Sequence, residues 1–513
     1  MARARGRRPE RAARVRPAHA RRAVRVVTLP ADFGVALDPG AWLDGGVLFG
    51  GTPFRVVTLS AAQRATVDRW LAGGRIGSDG VLARALVAAG LALPLPPEPA
   101  RDAWPRVSVV IPVRDRPRQL ARLLSALGSS DDAVHEVIVV DDASADAAAH
   151  AAAAASGGAR LIRLDRQQRA PGARNAGAAV ATGDVLAFVD SDCVPEAGWL
   201  AALLPHFADP EVAAVAPRVV ALETGRRGWL DRYEEHRAPY DRGASPGLVR
   251  PGGRIPFVPT ATVLVRAAHF PGFDTSLRGG EDVDLAWRLT SAGRAVRYEP
   301  AARVAHEHLT APRAFAGRRV YYGRTAAPLA RRHPGAARPL AMSPWTAAAW
   351  AAVALRRPVA AAAITGAACA LLARELRGVV ADPVRTAVRL AGGGTLRAGE
   401  AVADAVVRTW WPATLAAGVL VPRLRPALAA AVVVPAVLEW RRQRPDLDPV
   451  RWLLTRRLDD AAYGWGVWSG ALAAGEPDPL RPDLGWRLRV VSADELIGVG
   501  GGGGGCAGSA SRR

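Results

Sequence analysis

From Val107 onward the chain alternates short apolar runs with amphipathic segments, and that alternation restricts it to a sheet with helical crossovers. Strands are expected over residues 107–111, 136–140, 160–164 and 185–189. Pro117 opens a helix whose Leu120, Leu123, Leu124 and Leu127 form one apolar stripe. Further helices are expected over 145–155 and 172–181. Four strands with helices between them predict an α/β class, a doubly wound nucleotide-binding domain.

In such a sheet ligands collect at the carboxyl ends of the strands. The first strand here ends in Pro112-Val113-Arg114-Asp115, the second in Asp141-Asp142 and the fourth in Asp190-Ser191-Asp192. No GxGxxG follows the first strand, which disfavours a dinucleotide dehydrogenase. Residues i and i+2 of a strand share a face, so Asp190 and Asp192 can project toward one ligand. Carboxylate oxygens of this kind suit Mg²⁺ or Mn²⁺ bridging to substrate phosphates. Solvated acidic turns are the ordinary alternative, and a lone DxD does not decide between them.

The segments Val107-Ser-Val-Val-Ile-Pro-Val-Arg-Asp-Arg, Glu136-Val-Ile-Val-Val-Asp-Asp-Ala-Ser, Gly172-Ala-Arg-Asn-Ala-Gly and Asp190-Ser-Asp, in this order, resemble the donor half of glycosyltransferase family 2. Gly279-Gly-Glu-Asp-Val-Asp-Leu-Ala-Trp-Arg-Leu resembles the acceptor-side motif of the same family. The resemblance covers residues 106–308 and implies an inverting enzyme of GT-A fold. It implies that Pro112, Arg114 and Ser191 border the nucleotide sugar and that Asp141 or Asp142 contacts its base or ribose. It further implies that Arg174 helps hold the nucleotide, Asp190 faces the ribose and Asp192 takes the metal. His306 is expected as a further metal or phosphate contact, with His308 competing for that place. Asp282 is the candidate base for the acceptor hydroxyl, and Glu281 and Trp287 are expected on the acceptor side. Arg318, Arg319, Tyr321 and Tyr322 are candidates to clamp phosphates or acceptor.

The flanks extend the reading. The 513-residue chain carries 68 basic residues, all Arg, against 47 acids, a net charge of +21. Such a surplus raises nucleic acid or anionic lipid as a partner. Ten Arg against one Glu fall within residues 1–25, expected to be a disordered basic arm with no secretory h-region. Residues 26–95 are expected to form a small α+β module, winged-helix or peptide-recognition-like, with a hairpin about the turn at 50–53 and two helices. The catalytic domain is expected over 104–335. An Ala-rich helical region follows over 340–495, with apolar runs at 345–355, 358–373, 410–421 and 426–438, then a flexible tail over 496–513. None of these runs reaches about 18 uninterrupted residues, and Arg356, Arg357, Arg423 and Arg425 split them. They are expected either to lie on the cytoplasmic leaflet or to pack as a bundle on the catalytic domain.

Much of the charge is thus accounted for by the arm and these flanks, and nucleic acid is not the expected partner. Cys193, Cys369 and Cys506 form no CxxC pair, so neither zinc nor a disulfide framework is expected. The layout resembles the mycofactocin-system subgroup of the family. That subgroup implies a nucleotide-sugar donor, UDP-glucose, and a small peptide-derived acceptor. A glycan or lipid acceptor at the inner leaflet is the alternative, and residence is expected to be cytoplasmic or on the cytoplasmic face of the membrane.

Overall fold

The computed structural model describes residues 27–98, 103–128, 134–223, 225 and 228–500. The expected basic arm, and residues 501–513 of the expected tail, lie outside them. The front module contains β1 (Gly34–Leu37), β2 (Trp42–Asp44), β3 (Val47–Gly50), β4 (Arg55–Thr58), α1 (Ala61–Leu71), α2 (Gly80–Ala88) and β5 (Ala92–Leu95). The hairpin and both helices stand where the turn and the apolar spacing put them. Ser60 and Gln63 close a reciprocal capping box at the start of α1. β2 and the β1–β5 pair were not foreseen.

The central domain runs β6 (Val107–Val113), α3 (Pro117–Gly128), β7 (Val134–Asp141), α4 (Ala147–Ser156), β8 (Arg160–Arg163), α5 (Arg169–Ala178) and β9 (Val185–Val189). It continues with β10 (Cys193–Pro195), α6 (Trp199–Leu203), β11 (Val212–Ala221), α7 (Trp229–Arg237), β12 (Gly247–Leu248), β13 (Thr262–Arg266), α8 (Glu281–Ser291) and β14 (Ala295–His306). Every residue of β6 is buried, because both faces of the sheet are covered. Val107, Val109, Ile111 and Val113 pack with Leu120 and Leu123 of α3, while Val110 packs with Ala173 of α5 and Val283 of α8. The strand order is β10-β14-β11-β13-β9-β6-β7-β8, with β12 on β14. β6, β7, β8 and β9 are parallel, as the alternation requires, but β13 is antiparallel to both β9 and β11. The sheet is therefore mixed, and the core is a GT-A type α/β domain.

α5 begins three residues earlier than its glycine suggested. The Asp142 carboxylate accepts the Gln168 amide at 2.6 Å, so the end of β7 fixes where that helix starts.

The rest of the chain contains α9 (Pro312–Arg324), α10 (Ala326–Arg332), α11 (Pro344–Ala354), α12 (Pro358–Glu375), α13 (Pro383–Ala387), α14 (Gly393–Asp404), α15 (Trp411–Leu420), α16 (Arg425–Gln443) and α17 (Pro449–Ala474). α17 lies against α9 through glycine: a Cβ on Gly466 would run into the Val320 carbonyl, and one on Gly323 into that of Tyr463. By contrast α12 buries only Ala361, and α14 and α15 bury no residue. The packed arrangement thus describes α17, with nine buried residues, but not α12, α14 and α15. Val359 is 82 % exposed and Leu420 78 %. α12 has 18 residues and a mean hydropathy of 1.2, long and apolar enough to cross a membrane, since the helix runs on through Arg374 and Glu375. α15 and the Pro422–Gln443 segment form a pair bent by 118°.

The chain then returns to the front module. β15 (Arg489–Ser492) pairs in parallel with β4, and α18 (Ala493–Gly500) follows it, its Leu496 and Ile497 packing on the module's core. A boundary between 495 and 496 would divide a helix, so the expected start of the flexible tail is corrected: 489–500 belong with the module.

Candidate active site

The carboxyl ends of β6, β7 and β9 meet at a cavity of about 480 Å³ lined by Pro112, Arg114, Arg116, Asp142, Asp190, Ser191, Asp192 and His306. Tyr240, Arg318, Arg319 and Tyr322 complete its far wall. The sheet explains the convergence. β9 delivers Asp190 and Asp192, and the turn after it leads into β10, whose Cys193 is register partner of His306 at the end of β14. His306 Nε2 thereby stands 3.4 Å from Asp192 Oδ1. His308 turns instead to Asp231 at 3.5 Å, so His306 is the histidine at the acidic strand end.

A carboxylate oxygen of Asp192, a ring nitrogen of His306 and Cys193 Sγ lie within 4.8 Å of one another. The thiol donates to the Ala261 carbonyl at 3.2 Å, and burial pushes its pKa well up. A neutral thiol is a poor ligand, which leaves an oxygen and an imidazole nitrogen. That pair suits Mn²⁺ or Mg²⁺ completed by phosphate oxygens. Arg116 already sets its guanidinium on the other Asp192 oxygen, an observation that marks this carboxylate as facing a cation. The residues present therefore fit a divalent ion.

Arg174 connects the end of β9 to the start of α8. Its side chain is 3 % exposed, and it donates to Asp190 at 2.5 Å and to Glu281 at 3.2 Å. Burial pushes the Asp190 carboxyl up, and the Asp192 charge adds to that against the pull of Arg174. Asp282, next to Glu281 in the first turn of α8, has its pKa pushed up to about 7 by burial and by the Glu281 charge. A carboxyl so placed is half ionised near neutrality, which matches a general base. Asp282 does not line the cavity. It lies near Tyr321 and Tyr322, close enough that its charge adds to burial in raising both phenols. Tyr322 and Tyr240 share a hydrogen bond on the cavity wall.

Two expected residues stand elsewhere. Asp141 is fully buried and turned away from the cavity, accepting from the Ser144 amide at 2.9 Å and from Arg163. Burial alone would raise its pKa, but those donors hold it below the usual range. It shapes the turn, and Asp142 is the member of the pair that lines the cavity. Trp287 is buried in the core, donating to the Pro256 carbonyl at 2.8 Å and meeting the His333 ring edge-on at 5.2 Å. It packs and offers nothing to an acceptor.

Arg116, Tyr240 and Glu234 were not foreseen. Arg116 was legible as a basic residue beside the first strand end. Tyr240 comes from the long stretch between β11 and β13, where no periodicity marks it. Glu234 is paired with Arg319, and burial raises its pKa to about 7.

Residues 108–269 match the family model described as glycosyl transferase family 2. Over 475 residues the chain is 36 % identical to the pre-mycofactocin glycosyltransferase of Mycobacterium tuberculosis, an alignment covering 89 % of this chain and 98 % of that protein. It is 31 % identical over 233 residues to human polypeptide N-acetylgalactosaminyltransferase 15, covering 40 % of this chain and 36 % of that one. Among solved structures, a mannosyltransferase from Pyrobaculum calidifontis in complex with GDP-Man and Mn²⁺ aligns with a TM-score of 0.36 at 20 % identity, covering 58 % of this chain and 89 % of that one.

Proposed function

Since the chain belongs to glycosyltransferase family 2 and is a nucleotide-sugar-dependent glycosyltransferase, we propose that it transfers glucose from UDP-glucose to a hydroxyl of the peptide-derived redox cofactor precursor, pre-mycofactocin, with inversion at the anomeric carbon. The observation that carries this reading is the 36 % identity over 98 % of the relative's length, which extends through both flanks rather than the catalytic core alone.

The donor lies along the ends of β6, β7 and β9, its diphosphate toward Arg116, Asp192 and His306 and its nucleoside toward Asp142. Asp192 and His306 would hold a divalent cation, and its charge would neutralise the departing diphosphate. Arg174 keeps Asp190 oriented from below. Asp282 takes the proton of the acceptor hydroxyl as it attacks from the face opposite the leaving group. One base and one displacement give inversion, whereas glycoside hydrolysis needs a second carboxyl as acid. For Asp282 to reach the hydroxyl, the acceptor enters past Tyr321 and Tyr322, whose rings suit a small aromatic or peptidic molecule.

The proposed location is the cytoplasmic face of the membrane, with α12, α15 and α16 set into the headgroup region. Their unburied apolar faces and the Arg residues at their ends support it. The same faces favour a second reading in which the acceptor is a membrane lipid. Purified protein with UDP-glucose, Mn²⁺ and either pre-mycofactocin or extracted lipid distinguishes the two by mass spectrometry. Hexose appears on the peptidic acceptor if the first holds, and on lipid alone if the second does.

A further inference from the structure

Arg319 is a buried cation on the far wall of the cavity at the strand ends, and its guanidinium is held on three sides. Nε donates to Asp459 Oδ1 at 3.1 Å, Nη2 donates to Glu234, and the Phe315 ring lies 4.4 Å from Cζ. Glu234 and Phe315 line the same cavity, whereas Asp459 stands behind Arg319 and does not. Nη1 takes no partner among the described residues, so it is the nitrogen left for a ligand.

Asp459 comes from α17. On that helix Asp459, Tyr463 and Gly466 are spaced four and three residues apart, which places them on one face. That face meets α9, where Arg319 stands one turn before Gly323 and the close glycine contact lets the ion pair form. Burial alone would raise the Asp459 pKa, but Arg408, Arg319 and Arg237 hold it below the usual carboxylate range. Both of its oxygens have further donors, Oδ1 from Arg408 at 3.3 Å and Oδ2 from the Tyr233 hydroxyl at 3.1 Å. The carboxylate is therefore fixed before any ligand arrives.

The side chains of Arg319 and Asp459 are 4 % and 6 % exposed. Buried charges of this kind add little net stability over packed apolar groups, so stability alone does not account for them. What they do supply is orientation. Without Asp459 the guanidinium has Glu234 as its one anion, and nothing holds Nη1 toward the cavity.

We propose that Asp459 is a positioning residue for sugar transfer: from α17 it fixes the Arg319 guanidinium so that Nη1 donates to the diphosphate of the nucleotide sugar. The diphosphate is the multiply anionic part of such a donor, and a charge-assisted contact to it strengthens as charge develops on the leaving group. α17 lies wholly outside residues 108–269, which match the family model, so the C-terminal region completes the donor cavity as well as flanking it. The inference rests on the donor lying in this cavity, and not on which hexose or acceptor is used.

The test measures UDP binding to the full chain with Mn²⁺ by isothermal titration calorimetry, and uridine binding by ligand-observed NMR. Asp459→Asn and Arg319→Gln are each expected to weaken UDP about tenfold or more, the scale of one lost hydrogen bond to a charged group. Uridine, which carries no phosphate, is expected to bind both variants as it binds the parent. Because Asp459 acts through Arg319, adding Asp459→Asn to Arg319→Gln is expected to cost no further UDP affinity. Arg319→Lys keeps the charge but not the fork, and is expected to weaken UDP as well. Parent-like UDP affinity in Asp459→Asn overturns the proposal, and so does the full loss repeated in the double variant. Equal losses for uridine and UDP, the mark of a collapsed site, also overturn it. Parent-like affinity in Arg319→Lys overturns it whether or not Asp459→Asn folds. A parent that binds no UDP removes the donor reading and the proposal together. Should the parent bind UDP and transfer no glucose while the variants behave as expected, only the glucose and acceptor reading falls.

Discussion

The guanidinium of Arg116 rests on Asp192, on the carboxylate oxygen that does not face His306. A cation and Arg116 therefore compete for one residue. The Arg116 side chain is 41 % exposed, so the pair is screened and worth up to about 1 kcal/mol. Arg116→Ala is expected to tighten Mn²⁺ binding up to about fivefold, read by Mn²⁺ electron paramagnetic resonance titration. Unchanged or weaker binding would remove Arg116 from that competition.

Activity is expected to rise with pH through about 7, because Asp282 takes a proton only when ionised and its pKa stands near that value. The stability effect has the opposite sign. A carboxyl with a raised folded pKa favours the fold fully below its unfolded value, and that contribution is lost as pH rises through about 7. A kcat/KM profile with its acid limb near pH 4 would contradict the assignment.

Arg174→Ala leaves Asp190 and Glu281 without their shared partner. Breaking a buried ion pair of this kind costs about 3 kcal/mol, visible as a lower midpoint in urea. Arg174→Gln, which keeps a donor, is expected to lose less. Equal midpoints for Arg174→Ala and the parent would show that the bridge contributes nothing.

Gly466→Ala is expected to push α17 off α9, since the new Cβ meets the Val320 carbonyl. Overpacking of this sort costs about 1–3 kcal/mol. α9 carries Arg319 and Tyr322 to the cavity, so KM for the acceptor is expected to rise as well. A parent-like KM with lowered stability would separate the α9–α17 contact from the site.

Vesicle flotation checks the membrane reading. Binding to anionic vesicles is expected to exceed that to neutral ones and to weaken with salt. Val359→Asp with Leu420→Asp is expected to abolish it. Salt-independent binding to neutral vesicles would contradict a surface held partly by Arg.

The parallel core was legible because its strands are uninterrupted apolar runs and its acids stand at their ends. β13 was not, since an antiparallel insertion has no pattern that distinguishes it from a crossover strand. The return of β15 to the front module is a contact across more than four hundred residues, and four residues of strand carry no partner information. Asp141 ends β7 and Asp142 follows it, and consecutive side chains at a strand end turn to opposite sides, so only one of the two reaches the cavity. Trp287 lies five residues after Asp282, about 140° around the helix, so the two cannot share a face. Asp192, His306, Arg174 and Asp282 were legible as candidates because each stands in a motif local in the chain. Tyr240 and Glu234 reach the cavity through tertiary packing that no local pattern records.

The most direct measurement is hexose transfer itself, followed by mass spectrometry in Asp192→Ala and Asp282→Asn beside the parent with UDP-glucose and Mn²⁺. Loss of a general base is worth about 10²- to 10⁴-fold in rate, and loss of charge stabilisation is at least comparable. Product is expected from the parent and essentially none from either variant, both remaining folded. Parent-like transfer by either variant would contradict the account.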